Sequence, residues 1–175
     1  MASELIVQTI QGPSSGANAN KVIIPSGHTL DASEGFIPPA GSVVRMGSEK
    51  HSTYASTSSV NAWTECYSFS ISGITSGNQV YIQYSVCDLV EHANRETFRI
   101  RRGSDQATLV QWARQTHGNG SWRGIIADAT CFDDDTTGGT RTYYLDFANS
   151  ASGTIYVNYT GGDAASFLTW WEIAG

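Results

Sequence analysis

The side chains able to do chemistry are few, and their spacing limits what they can do. The acidic run Asp133-Asp134-Asp135 offers carboxylate oxygens of the kind that hold calcium. No Glu closes the loop behind it, so the calcium-hand pattern fails and the run reads as a solvated turn. A calcium-assisted sugar contact is the sharper alternative. Glycoside cleavage needs two carboxyl groups facing each other across a cleft. Asp88, Glu91, Glu96 and Asp133 supply candidates, but no motif pairs them. Serines are plentiful and the histidines are His28, His51, His92 and His117, yet no Gly-x-Ser-x-Gly elbow presents a nucleophile. No catalytic residue, metal ligand or cofactor follows from these patterns, and the expectation is a protein that is not an enzyme.

Binding chemistry is better represented. Arg99, Arg101 and Arg102 crowd one strand and its end. They read first as partners of acidic neighbours such as Asp105, and otherwise as readers of an anionic sugar. Trp112, His117, Asn119 and Trp122, together with Arg101, form the candidate ligand-binding set. Aromatic rings beside amide and charged groups are what a glycan site uses.

Composition says what must position these residues. The 175 residues suit one domain, or one domain with a small appendage. Charged residues make up only 15%, Gly numbers 18, and aromatics reach 11%. Polar turns between aromatic, β-branched strands describe an all-β module. The net charge of −6 lacks the basic face that nucleic acid or an anionic membrane requires. Cys66, Cys87 and Cys131 are widely spaced and odd in number. They read as buried thiols, with one disulfide and a leftover thiol still open. No basic, apolar leader and no membrane-length apolar run is present. Synthesis and folding in a cytoplasm are therefore expected.

The most informative stretch is the last one, Ser166 to Gly175. Phe167, Thr169, Trp171 and Ile173 share one face of a strand, and Leu168, Trp170 and Glu172 share the other. A Trp on each face predicts a central strand with protein on both sides. From Ala62 onward about eight strands are expected, with turns between them, as in an antiparallel β-sandwich of jelly-roll type. Residues 88–95 read as a short helix or loop, and residues 142–147 with 153–159 as a hairpin. Residues 1–46 contain strands too short to stand alone, residues 47–61 are a polar linker or edge strand, and residues 62–175 form the head.

Two stretches near the start resemble small virion proteins of tailed phages, especially marine and cyanobacterial ones. They are Leu5 to Ile10 and the rung Val22 to Ser33. Phe98 to Ser104, Tyr143 to Asp146 and the ending Trp171 to Gly175 are similar to the β-sandwich head of the same proteins. The resemblance covers most of the chain. The charged stretch Asp88 to Glu96 and the paired Trp of the ending depart from it. It implies a tail-fibre or receptor-binding role in the virion, with residues 1–46 as an anchoring stalk docked on other virion proteins. It also implies a homotrimer adhering to a host-surface glycan or protein, and no membrane insertion. Leu5, Val7, Val22, Ile24, Trp170 and Trp171 would then be core or trimer interface. A capsid decoration protein is the alternative, and a free lectin the third reading.

Overall fold

A computed structural model describes residues 14–16, 26, 38–90, 95–115, 123–150, 153–158 and 165–175. The chain divides into two compact units, Met1–Ile37 and Pro38–Gly175. Leu5, Val7, Val22 and Ile24 lie outside the described residues.

Among the described residues every regular element of the second unit is a strand: β1 (Val43–His51), β2 (Ala55–Thr57), β3 (Thr64–Ile74), β4 (Gln79–Val90), β5 (Arg95–Arg102), β6 (Thr108–Gln115), β7 (Arg123–Asp133), β8 (Gly139–Asn149), β9 (Ile155–Val157) and β10 (Ser166–Ile173). The larger sheet runs β1-β10-β4, with β7 on the far side of β4 and the short β9 and β2 beyond its other end. The smaller sheet runs β3-β8-β5-β6. All strand pairs are antiparallel, and five of them nest: β5 with β6, β4 with β7, β3 with β8, β2 with β9 and β1 with β10. That is one long hairpin rolled over on itself, the topology of a jelly roll.

Alternation explains why these strands pack as two layers. Val80, Ile82, Tyr84 and Val86 of β4 point inward, and Phe98 and Ile100 of β5 meet them. Tyr143, Leu145 and Phe147 of β8 and Leu168 of β10 complete the centre. Each such side chain contributes roughly 1.5–3 kcal/mol by leaving water. β10 lies between β1 and β4, so the terminal strand is central as its sequence requires. Its Leu168, Trp170 and Glu172 face the core. Gly47 of β1 makes room for Trp170: a Cβ there would stand 2.5 Å from the indole.

Several boundaries differ from those the sequence suggests. Val43–Met46, expected in the stalk, opens β1, and Ser48 and Lys50 look polar because β1 is an edge strand. Residues 88–90 continue β4 and Arg95 opens β5, so the charged stretch is not a helix there. Residues 142–147 and 155–157 are not a hairpin. β8 lies in the smaller sheet and β9 in the larger, and local alternation cannot say which sheet a strand joins. In β3 the pairing shifts between Glu65 and Tyr67, a bulge that turns Cys66 and Phe69 inward together. All three cysteines are free thiols, Cys66 and Cys131 buried and Cys87 partly so. Burial pushes the Cys66 and Cys131 thiols well above their ordinary range, which leaves them unreactive at neutral pH.

Candidate binding surfaces

Of the expected ligand-binding residues, the two that are described, Trp112 and Arg101, stand on opposite faces of the smaller sheet. His117, Asn119 and Trp122 lie outside the described residues. Trp112 sits on β6 opposite Phe98, stacked on it at 5.5 Å and packed against the core. Arg101 is on the opposite, outward side of the same sheet. It donates to Asp146 at 2.7 Å, bonds Gln106, and lies 4.3 Å above the Tyr144 ring. Arg99 donates to the same Asp146 oxygen at 2.7 Å while lying 4.3 Å over Trp63. The outer face of the smaller sheet is thus a ladder of Arg, Asp and hydroxyl groups, extended by the Ser70–Thr142 pair.

Arg102 turns the other way and meets the acidic run. Asp133 is not a solvated turn residue; it is fully buried. Tyr143 donates to it at 2.7 Å, and Arg102 and Arg141 lie 3.3 and 3.6 Å from its oxygens. Arg141 also donates to the carbonyls of Asn78 and Thr137, each at 2.9 Å. Asp134 is 83% exposed. Asp135 accepts the Thr137 amide, which with Arg102 holds its carboxyl below the usual range. Over this network opens a hollow of about 310 Å³, bordered by Arg102, Ser104, Asp135, Thr137, Arg141 and Tyr144 among others. Its walls suit a small polyhydroxylated ligand. Among the described residues no group of three or more His, Cys, Asp or Glu is placed to hold a metal ion.

A second buried polar cluster ties β1, β4 and β10 to the Asn158 turn. His51 hydrogen-bonds the Tyr84 hydroxyl through Nε2, and Asn158 donates to its Nδ1 at 3.2 Å. The Tyr67 ring stacks on it at 3.9 Å. Nδ1 is therefore an acceptor, and a second proton there would confront an amide donor. Burial lowers the His51 pKa to about 4. Unfolded, this histidine takes up a proton near pH 6.5, so between pH 6.5 and 4 the unfolded state binds more protons and stability falls as pH falls. We expect a loss of about 2 kcal/mol between pH 7 and 5. Urea melts across that range check it, and His51→Gln should flatten the dependence. An unchanged slope in the variant would place the pH sensitivity elsewhere.

The outer face of the larger sheet is of another kind. Cross-strand register aligns Met46, Trp171, Tyr81 and Phe132 in one row across β1, β10, β4 and β7. Tyr81 touches both neighbouring rings, Phe132 at 5.0 Å and Trp171 at 5.3 Å. Met46 is 62% and Phe132 55% exposed. Val43 and Val44 extend the row's end, and Phe167 is exposed further along β10. Only Trp171 of this row stands out in the sequence. Met46 and Phe132 sit in polar surroundings, and nothing but register reveals that the four are neighbours.

No protein-family model matches the chain, and no curated protein matches it. Solved structures do resemble it. Eiger TNF from S. frugiperda is 17% identical, with a TM-score of 0.35 over 54% of this chain and 59% of that one. The infectious bursal disease virus VP2 subviral particle protein is 16% identical, with a TM-score of 0.41 over 93% of this chain and 46% of that one. Dimeric latent PorU from Porphyromonas gingivalis is 13% identical, with a TM-score of 0.45 over 89% of this chain and 15% of that one. The chain spans less than two thirds of each of these proteins. Likeness at this level carries no functional argument.

Proposed function

We propose that the chain is a non-enzymatic structural protein of a tailed-phage virion, assembled as a homotrimer and acting by protein contact as a capsid decoration protein. The observation that carries this reading is the contrast between the two outer faces. The smaller sheet turns a ladder of paired charges outward. The larger sheet turns out a row of Met, Trp, Tyr and Phe, with the two end members more than half exposed. Large exposed apolar patches mark surfaces that other protein covers. The resemblance of Leu5–Ile10 and Val22–Ser33 to virion proteins supports the viral setting, and jelly rolls recur in capsid and lectin domains, which is analogy of fold alone. The ionisable groups around Asp133 and Asp146 are occupied with one another, which suits a structural part. Among the described residues no helix is long and apolar enough to cross a membrane.

A second reading, tail-fibre adhesion to a host-surface glycan, draws on the polar hollow at Arg102, Asp135 and Arg141. Quantitative mass spectrometry of purified particles separates the two. Decoration predicts a copy number in fixed ratio to the major capsid protein. A copy number matching the tail would favour adhesion, and absence from the particle would end both.

A further inference from the structure

We infer that the outer face of the larger sheet closes the trimer: three copies stand around an axis parallel to the strands, with β1 of each against β7 of the next. The inference rests on the homotrimer proposed above and names the surface that builds it. Three rows cross this face in register. Met46, Trp171, Tyr81 and Phe132 form the first; Ser48, Thr169, Gln83 and Thr130 the second; Lys50, Phe167, Ser85 and Asp128 the third. The exposed ends of the first row, Met46 and Phe132, lie on the two edge strands at one level, and Phe167 of the third row is exposed on β10 between them. The exposed charges Lys50 and Asp128 also lie on the two edge strands, at another level.

Rotation about an axis parallel to the strands keeps every residue at its own height. It therefore sets Met46 beside the next copy's Phe132, and Lys50 beside the next copy's Asp128. Apolar meets apolar and cation meets anion, without any rearrangement of the chain. An axis across the strands would reverse the levels and set the apolar row against the charged one.

The dimensions select three copies. Four strands about 4.8 Å apart, each contributing seven residues at about 3.4 Å, make a face roughly 19 by 24 Å, on the order of 450 Å². Three such faces closed into a triangle stand about 5.5 Å from the axis, close to half the ~10 Å between packed sheets, so side chains fill the centre. Four would stand about 9.5 Å away and leave a channel. Two copies stacked face to face would leave the exposed ends of the apolar row, and Val43 and Val44, at the rim. Each copy brings about 450 Å² to the trimer, roughly half of the ~800 Å² that each partner gives to a standard specific interface, which places the contact among the weak ones. Contacts of this head-to-tail kind close into rings only when the rotation fits, and the width of this face fits a three-fold one.

Sedimentation velocity on the full chain, from about 1 to 300 µM, tests this around the micromolar affinity that an interface of this size can give. Wild type is expected at three times the 18.8 kDa chain mass. Lys50→Asp and Asp128→Lys each put like charges together at all three contacts, and each should raise the half-assembly concentration by about tenfold or more. The double exchange Lys50→Asp with Asp128→Lys restores opposite charges and should bring assembly back to within about threefold of wild type. Lys50 and Asp128 are both exposed and both on edge strands, so circular dichroism should be the same for each variant. A trimer indifferent to both single exchanges overturns the inference while leaving the trimer itself standing. A chain that keeps its single mass at every concentration overturns both. A double exchange that stays folded but fails to reassemble also overturns the inference.

Discussion

Asp133→Ala is expected to lower the melting temperature by on the order of 10 °C. Asp133 is fully buried at the end of β7, where Arg102, Arg141 and the Tyr143 hydroxyl converge on its carboxylate. Removing it strands the Arg141 side chain, itself 5% exposed, with a charge that two backbone carbonyls cannot neutralise. Breaking one partner out of a buried ion pair costs roughly 3–5 kcal/mol. Each kcal/mol is worth about 2–4 °C in a chain of this size. Burial and the bond to Asp133 also push the Tyr143 phenol well up, so that hydroxyl stays a donor and loses its acceptor in the variant. Asp134→Ala supplies the contrast. Asp134 is next in sequence but lies in solvent, and its loss should matter by no more than about 0.5 kcal/mol. Equal effects of the two substitutions, read by thermal denaturation, would contradict the buried network.

Glu172→Ala is expected to cost roughly 3 kcal/mol. Glu172 is 1% exposed on the core side of β10. One carboxylate oxygen accepts the Thr75 amide at 2.8 Å and the Asn78 side chain at 2.7 Å, and the other accepts Arg45 Nε at 2.5 Å. One side chain thereby fastens the last strand to the edge strand β1 and to the β3–β4 turn. Burial opposes its ionisation, but the Thr75 amide, Arg45 and Asn78 outweigh that and hold the carboxyl below the usual range. Alanine leaves the buried Asn78 amide and the Thr75 N–H without their acceptor. Glu172→Gln keeps one acceptor oxygen and turns an amide donor toward Arg45, so it should lose less than alanine but not recover wild-type stability. Urea midpoints of the three proteins check the order. A glutamine variant as stable as wild type would mean that the charge at this position does nothing.

Much of the fold is legible in the chain, and the parts that are not share one cause. The alternation of Val80, Ile82, Tyr84 and Val86, and of Tyr143, Leu145 and Phe147, gives strands directly. The two-sided Trp pair places β10 at the centre of a sheet. What alternation cannot give is partnership. Residues 142–147 and 155–157 look like hairpin arms because they are close in sequence, yet they belong to different sheets. β1 reads as polar because an edge strand shows one face and one edge to water. Asp133 reads as solvent-exposed because its neighbours Asp134 and Asp135 are polar, while the residues that pair with it stand on β5 and β8. The arginine cluster divides for the same reason. Arg99 and Arg101 follow the pleat outward to Asp146, whereas Arg102, in the same phase as the inward Phe98 and Ile100, turns to Asp133. The row Met46–Trp171–Tyr81–Phe132 draws on four strands and has no signature in any one of them.

Cryo-electron microscopy of the phage particle proposed to carry this chain tests the central proposal, that the protein is a surface component whose apolar sheet face is covered by protein. Jelly-roll density in groups of three over the capsid lattice is expected, with the Met46–Phe132 row of each copy turned into the contact. Density for single copies with that row facing solvent, or density confined to the tail tip, would contradict it.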